Sequence, residues 1–208
     1  MSKITKIEKQ KKEGRYNIFL DGQFAFGLYK ETIFHYGLRT KDSLEENRIN
    51  EIRDFDEYNF GKKVAYCFLN YKQRSEKEVR KKLTEKKISP HNSEKIIESL
   101  KELKFIDDRN YAKLYLEDKL THKPEGKRKL TIKLAGKGIT KETIDDTMGK
   151  IYDEETEFKK AEEVLRKYFV KLKQMKPLEK KQKCFRHLLS KGFDYEIINN
   201  VLRESDFF

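Results

Sequence analysis

The chain has 208 residues, of which 40% are charged and 36% hydrophobic, and its 48 bases against 36 acids leave a formal net charge of +12. So polar a chain buries enough apolar surface to fold only if its hydrophobic residues recur at regular spacings, and its positive balance favours phosphate-rich or acidic partners without choosing among them. The longest apolar runs are a few residues, far below the roughly 20 that a membrane-spanning helix needs, and no apolar N-terminal stretch precedes a small-residue cleavage site; the expectation is a cytosolic protein with no membrane partner.

In chain order, Ile4 to Glu8 and Tyr16 to Leu20 are rich in β-formers. Between the second of these and its continuation through Phe24, Phe26 and Leu28 stands Asp21-Gly22, a dipeptide suited to a two-residue hairpin turn. In that register Phe19 faces Phe24 and Ile18 faces Ala25, so both faces carry apolar groups and one must be covered; a short helix near Tyr29 to Tyr36 can do so. Residues 1–56 hold 11 bases and 10 acids. This segment therefore reads as an appendage, and the positive balance lies beyond it.

From Glu57 the apolar period lengthens to about 3.6, with Phe60, Val64, Cys67/Phe68 and Tyr71 on one helical face. A second helix follows through Val79 and Leu83 and a third through Ile96/Ile97, Leu100 and Leu103, with Pro90 and Ser93 marking its start. The three-helix pattern recurs at Tyr111 to Leu120, Leu130 to Leu134 and Ile144 to Ile151, and again at Val164 to Leu172, Phe185 to Leu189 and Ile197 to Leu202. Its clearest register is in the middle helices, where Leu83, Leu134 and Leu188 stand 51 and then 54 residues apart. Each is followed at the same offsets by a lysine (Lys86, Lys137, Lys191), by Lys87, Gly138 or Gly192, and by Ile88, Ile139 or Phe193. A glycine there can take the left-handed conformation that ends a helix. The expected architecture is mainly α: an elongated tandem array of three three-helix repeats over residues 57–103, 104–152 and 153–208, preceded by a small β-hairpin-containing segment with short helices over 1–56.

Catalytic and phosphate-binding signatures do not assemble. Gly61-Lys62, Gly126-Lys127, Gly136-Lys137 and Gly149-Lys150 lack the following Ser/Thr and the upstream glycine of a P-loop, and HExxH and GxSxG are absent. Cys184 and His187 are three apart on one helix, but a structural zinc site needs four ligands and no second pair accompanies them. Cys67 and Cys184 are far apart with no CxxC, which fits a reducing compartment and no disulfide. Asp107-Asp108 reads as capping of the helix that begins near Tyr111, and Ser75-x-x-Glu78 has the spacing of a capping box. These features point away from an enzyme and require no cofactor or metal.

The basic residues are the more informative ones. Between Glu125 and Glu142 stand Lys127, Arg128, Lys129, Lys133, Lys137 and Lys141 with no acid among them. Lys129, Lys133 and Lys137 fall four apart on one helical face, a stripe expected to repel itself unless a polyanion meets it. Arg74, Lys77, Arg80 and Lys81 mark the first middle helix, and Lys171, Lys173, Lys176, Lys180, Lys181 and Lys183, with Arg186 beyond, mark the third repeat. The candidate nucleic-acid or partner contacts are accordingly Arg74, Lys77, Arg80, Lys81, Lys127, Arg128, Lys129, Lys133, Lys137, Lys180, Lys183 and Arg186. Lysine predominates, which suits phosphate contact independent of sequence better than bidentate base reading. On these grounds alone, a free-standing DNA-binding module of helix-turn-helix-like units accounts for the pattern.

Several strings resemble the bacterial RecX regulators of the RecA recombinase. They are Arg74-Ser75-Glu76-Lys77-Glu78-Val79, Phe105-Ile106-Asp107-Asp108-Arg109-Asn110-Tyr111-Ala112, Lys137-Gly138-Ile139, and Lys191-Gly192-Phe193 followed by Ile197/Ile198. Ile4-Thr5-Lys6-Ile7 and Leu20-Asp21-Gly22-Gln23-Phe24-Ala25 are similar to the β-containing extension of longer family members. The resemblance implies a tandem three-helix fold and a non-enzymatic role. A monomer would bind the groove of the RecA filament on single- or double-stranded DNA and usually restrain its activity.

Overall fold

The hairpin expected around Asp21-Gly22 lies inside a four-stranded antiparallel sheet in the computed structural model, which describes residues 1–11, 13–172 and 175–205. The chain divides into two compact units, one of Met1–Lys72 with Val79–Phe105 and one of Gln73–Glu78 with the chain from Ile106 onward.

In the first unit the strands β1 (Ser2–Lys9), β2 (Arg15–Leu20), β3 (Gln23–Tyr29) and β4 (Ser43–Leu44) lie in the order β3-β2-β1-β4. Asp21 and Gly22 both take positive φ, 48° and 88°, as a two-residue turn matched to strand twist requires. Phe19 faces Phe24 as expected, but Ile18 faces Phe26 rather than Ala25, because the register shifts between Ile18 and Phe19. The physical reason is burial: the irregularity leaves Ala25 exposed and turns Ile18, Phe26 and Leu28 together into the core. Helix α1 (Lys30–His35) follows β3, and Ile33 packs on that core together with Ile4, Leu38, Leu44 and Ile52.

Helix α2 (Glu46–Tyr71) begins well ahead of Glu57, where the apolar period changes. Its first half buries Ile52 with the sheet, while Gly61 and Ala65 are buried further along it. A Cβ on Gly61 would come within 2.5 Å of Ile96 Cδ1, so the glycine sets how closely α2 meets α4 (Pro90–Glu102). Ser89, rather than Ser93, caps α4, with Pro90 at the first helical position.

Helix α3 (Glu76–Glu85) starts with the capping box in place: the Ser75 N–H donates to Glu78 Oε2 at 3.2 Å, and the Glu78 N–H to Ser75 Oγ at 3.4 Å. The second unit continues with α5 (Asp108–His122), α6 (Lys127–Gly136) and α7 (Lys141–Ile151) around Leu116, Leu130, Leu134 and Ile144. It is completed by α8 (Glu154–Phe169), a 3-10 turn (Val170–Leu172), α9 (Pro177–Lys191) and α10 (Tyr195–Glu204) around Leu165, Cys184, Leu188 and Ile198.

The three middle helices end in the same way. The N–H groups of Ile88, Ile139 and Phe193 donate to the carbonyls of Leu83, Leu134 and Leu188, and those of Lys87, Gly138 and Gly192 to the carbonyls of Thr84, Ala135 and Leu189. This is the two-bond Schellman ending, with its hydrophobic contact made by the buried Ile88, Ile139 and Phe193. Lys87, Gly138 and Gly192 all have positive φ, so Lys87 adopts the conformation that glycine supplies in the other two. Neither Cys67 nor Cys184 is in a disulfide. No helix among the described residues is long and apolar enough to cross a membrane.

Candidate polyanion-binding surface

Each lysine of the stripe along α6 and its C-cap already meets a carboxylate. Glu125 is buried just ahead of the helix, and its carboxylate pairs with Lys129 Nζ at 3.2 Å and with Lys133 Nζ. Burial alone would raise the Glu125 carboxyl, but the hydrogen bonds and charges of Lys133 and Lys129 outweigh it and hold it below its ordinary value. Lys137 Nζ meets Glu78 Oε1 at 2.5 Å, and its bond, helped by the Ser75 N–H and the Arg74 charge, likewise outweighs burial and lowers Glu78. The expectation that these lysines repel one another until a polyanion arrives therefore fails. Glu125 marked the edge of an acid-free run, yet it stands four residues before Lys129, the spacing at which a helix brings charges together.

Several other expected contacts are also structural, and they form two equivalent joints inside the second unit. At one joint, Ser75 Oγ donates to the Lys137 carbonyl at 2.7 Å, Lys77 Nζ to the Gly136 carbonyl at 3.2 Å, and the Glu76 N–H to Asp108 Oδ1 at 2.8 Å. At the other, the Gly126 N–H donates to the Lys191 carbonyl at 3.0 Å, Lys129 Nζ to the Ser190 carbonyl at 3.3 Å, and the Lys127 N–H to Glu157 Oε1 at 3.0 Å. Ser75 and Gly126 stand at the same offset before Leu83 and Leu134, and Lys137 and Lys191 at the same offset after Leu134 and Leu188. In both cases the start of one middle helix meets the end of the next, where carbonyls without a helical partner accept its donors. A Cβ on Gly126 would lie 2.2 Å from the backbone of Gly192 and Phe193, and one on Gly192 2.3 Å from Lys129 Cβ. Burial pushes Glu157 above its ordinary value even though Lys127 bonds to it through its N–H and its charge.

Arg80 forks onto Glu94 at 2.7 and 2.9 Å within the first unit. Arg74 precedes α3 and acts electrostatically on Glu78 instead of lying along the helix. Lys180 sits over the Phe169 ring, 5.1 Å from its centroid, and Arg186 Nε donates to the Gln182 carbonyl at 3.4 Å. Of the twelve candidates, Lys81, Arg128, Lys183 and Arg186 make neither an ion pair, a ring contact nor a joint contact among the described residues; the first two and Arg186 are exposed. Lys173 lies outside the described residues. Around α9 a local positive field is evident at His187, which stacks on Tyr168 at 3.8 Å. Burial, with Lys191, Lys171 and Lys129 nearby, pushes its imidazole below the ordinary value.

Asp107 caps α5 by accepting the Asn110 N–H at 2.9 Å, whereas Asp108 reaches back to the Glu76 N–H. The adjacent carboxylates thus serve one cap and one joint. Cys184 is buried among Leu188, Ile198 and Leu202, where desolvation raises its thiol. The described residues contain no group of three or more His, Cys, Asp and Glu placed to hold a metal ion.

Family models match along most of the chain. The regulatory protein RecX N-terminal domain matches residues 2–45, and the first, second and third RecX three-helix domains match 62–100, 107–148 and 155–202. A regulatory protein RecX of Leuconostoc mesenteroides is 34% identical over 99% of this chain and 78% of its own length. One of Clostridium perfringens is 35% identical over 98% of this chain and 96% of its own length. A crystal structure of regulatory protein RecX superposes with a TM-score of 0.72 at 29% identity, covering 98% of this chain and all of that one. The crystal structure of RecX from Lactobacillus salivarius gives 0.67 at 28% identity, covering 74% of this chain and 99% of that one.

Proposed function

This chain belongs to the RecX family of regulatory proteins, and from that membership we propose that it restrains a RecA-type recombinase by binding in the groove of the RecA–DNA filament. The family implies regulation of RecA. The finer reading is that an occupied groove hinders homologous duplex entry and disturbs protomer interfaces, so that filament assembly, ATP hydrolysis and strand exchange all fall. The protein acts as a cytosolic monomer and performs no chemistry of its own.

The observation that supports this reading best is that the family domains match the sheet-bearing segment and all three helical repeats. Electrostatics supports it as well. Lys81, Arg128, Lys183 and Arg186 supply attraction to phosphates on single- or double-stranded DNA independent of sequence, while Lys129 and Lys137 are engaged by Glu125 and Glu78.

The test adds purified protein to recombinase filaments preformed on single-stranded DNA and follows ATP hydrolysis and strand exchange. The reading expects inhibition far below the concentration that coats the DNA. Inhibition only at coating concentrations would instead identify a free-standing DNA-binding module, and cleavage of the DNA an enzyme.

A further inference from the structure

Within the first unit, α1 and α2 border a cleft of about 320 Å³ that opens to solvent. Two stacked ring pairs line it: Tyr29 on Phe60, with centroids 5.2 Å apart, and His35 on Phe55, 4.3 Å apart. Asp56 also lines it and is only 7% exposed. Its Oδ1 accepts the Tyr29 N–H at 2.8 Å and the Thr32 hydroxyl at 2.6 Å, and no hydrogen bond reaches Oδ2 among the described residues. That second oxygen is not among the buried polar atoms left without a partner, so it stays open to water and is available to an incoming donor. In a chain of net charge +12, this cleft carries the acids Glu31 and Asp56 against Lys63, which makes no ion pair among the described residues.

An acid beside aromatic faces is suited to a cation. Between the two side-chain cations, guanidinium fits better: it is planar, it sheds water more readily than ammonium, it stacks on rings, and it presents a fork to a carboxylate. The volume is at the small end of ligand pockets and suits one long side chain better than a cofactor. We propose that this cleft receives an arginine side chain from a protein partner, with its guanidinium on the Asp56 carboxylate and its plane against the aromatic walls. The proposal uses none of the cations invoked for the filament, so the two readings fail separately.

The test titrates the full-length protein with N-acetyl-arginine methylamide and follows amide chemical shifts around Tyr29 to His35 and Phe55 to Lys63. The citrulline and lysine analogues serve as controls. Saturable binding of the arginine compound is expected in the millimolar range, with citrulline and lysine at least about tenfold weaker. Asp56→Asn keeps an acceptor for Tyr29 and Thr32 while removing the charge, and it should weaken binding by about tenfold. Lys63→Gln, at an exposed position where folding is not at stake, should tighten binding by about two- to fivefold by removing a competing charge. Equal response to arginine and citrulline, equal response to arginine and lysine, or Lys63→Gln leaving the affinity unchanged would each overturn the proposal. Should Asp56→Asn fail to fold, Lys63→Gln and the ligand series still decide it.

Discussion

Gly126→Ala should open the second joint. The new methyl would lie 2.2 Å from the carbonyl carbon and oxygen of Gly192 and the nitrogen of Phe193. These are backbone atoms locked in the Schellman ending of α9, so no rotamer change relieves the overlap. Overpacking in a tight interior costs about 1–3 kcal/mol. Separating the surfaces also sacrifices the 3.0 Å bond from the Gly126 N–H to the Lys191 carbonyl, worth about 1 kcal/mol. The expected loss is thus about 2–4 kcal/mol. It would be read as a lower urea midpoint by circular dichroism and as faster amide exchange at residues 188–193. Gly149→Ala is the matched control: it lies inside α7 with nothing within 4 Å of the added carbon, and it should stabilise by about 0.5–1 kcal/mol. A Gly126→Ala protein as stable as the parent, with unchanged exchange at 188–193, would refute the joint as the element that fixes these helices.

The buried acids should respond to pH with opposite signs. Glu125 is held below its ordinary value of 4.5, so its contribution is complete above that pH and is lost as pH falls through the lowered value. Glu125→Gln should therefore cost about 1 kcal/mol at pH 7 and progressively less below pH 4.5, read from urea midpoints. Glu157 is raised above 4.5, so the folded state pays to ionise it as pH climbs from that point, and the stability of Glu157→Gln relative to the parent should improve from pH 4 to pH 7. The joint replacement of Lys129, Lys133 and Lys137 by Glu would set carboxylates against Glu125 and Glu78. It should lower the thermal midpoint of the second unit and not merely weaken DNA binding; an unchanged midpoint contradicts the pairing. Binding to naked DNA that meets about six phosphates should show a slope of log affinity on log salt near −5. Reversing Lys81, Arg128, Lys183 and Arg186 should reduce that slope by about 3 to 4 while leaving helix content intact, and an unchanged slope would clear these side chains.

Local chemistry made much of the fold legible. Asp21-Gly22 announced the hairpin, Ser75-x-x-Glu78 the capping box, and Gly138 and Gly192 the left-handed endings of their middle helices. Each of these depends on residues close in sequence. The shift that seats Phe26 opposite Ile18 was not legible, because the burial of a whole face decides it. Nor was the early start of α2, whose first half draws its apolar partners from the sheet and not from its own period.

The candidate site divides along the same line. The four-residue spacing puts Lys129 and Lys133 on α6 and Lys137 at its C-cap, but their partners were hidden: Glu78 is 59 residues from Lys137, and only the fold brings them to 2.5 Å. The Lys129–Glu125 pair was within reach of the sequence through its four-residue spacing. The two joints were not, since Ser75 and Gly126 share a position without sharing a side chain: one donates through a hydroxyl and the other through its backbone N–H. The aromatic and acidic cleft beside α1 was not legible because residues 1–56 balance to almost no net charge, and an average conceals a local surplus of acid.

Electron cryomicroscopy of the recombinase filament on single-stranded DNA, saturated with this protein, tests the account most directly. The prediction is continuous additional density within the helical groove, with the side chains of Lys81, Arg128, Lys183 and Arg186 turned toward the nucleic acid. An empty groove, with the protein found only on bare DNA or at filament ends, would contradict it.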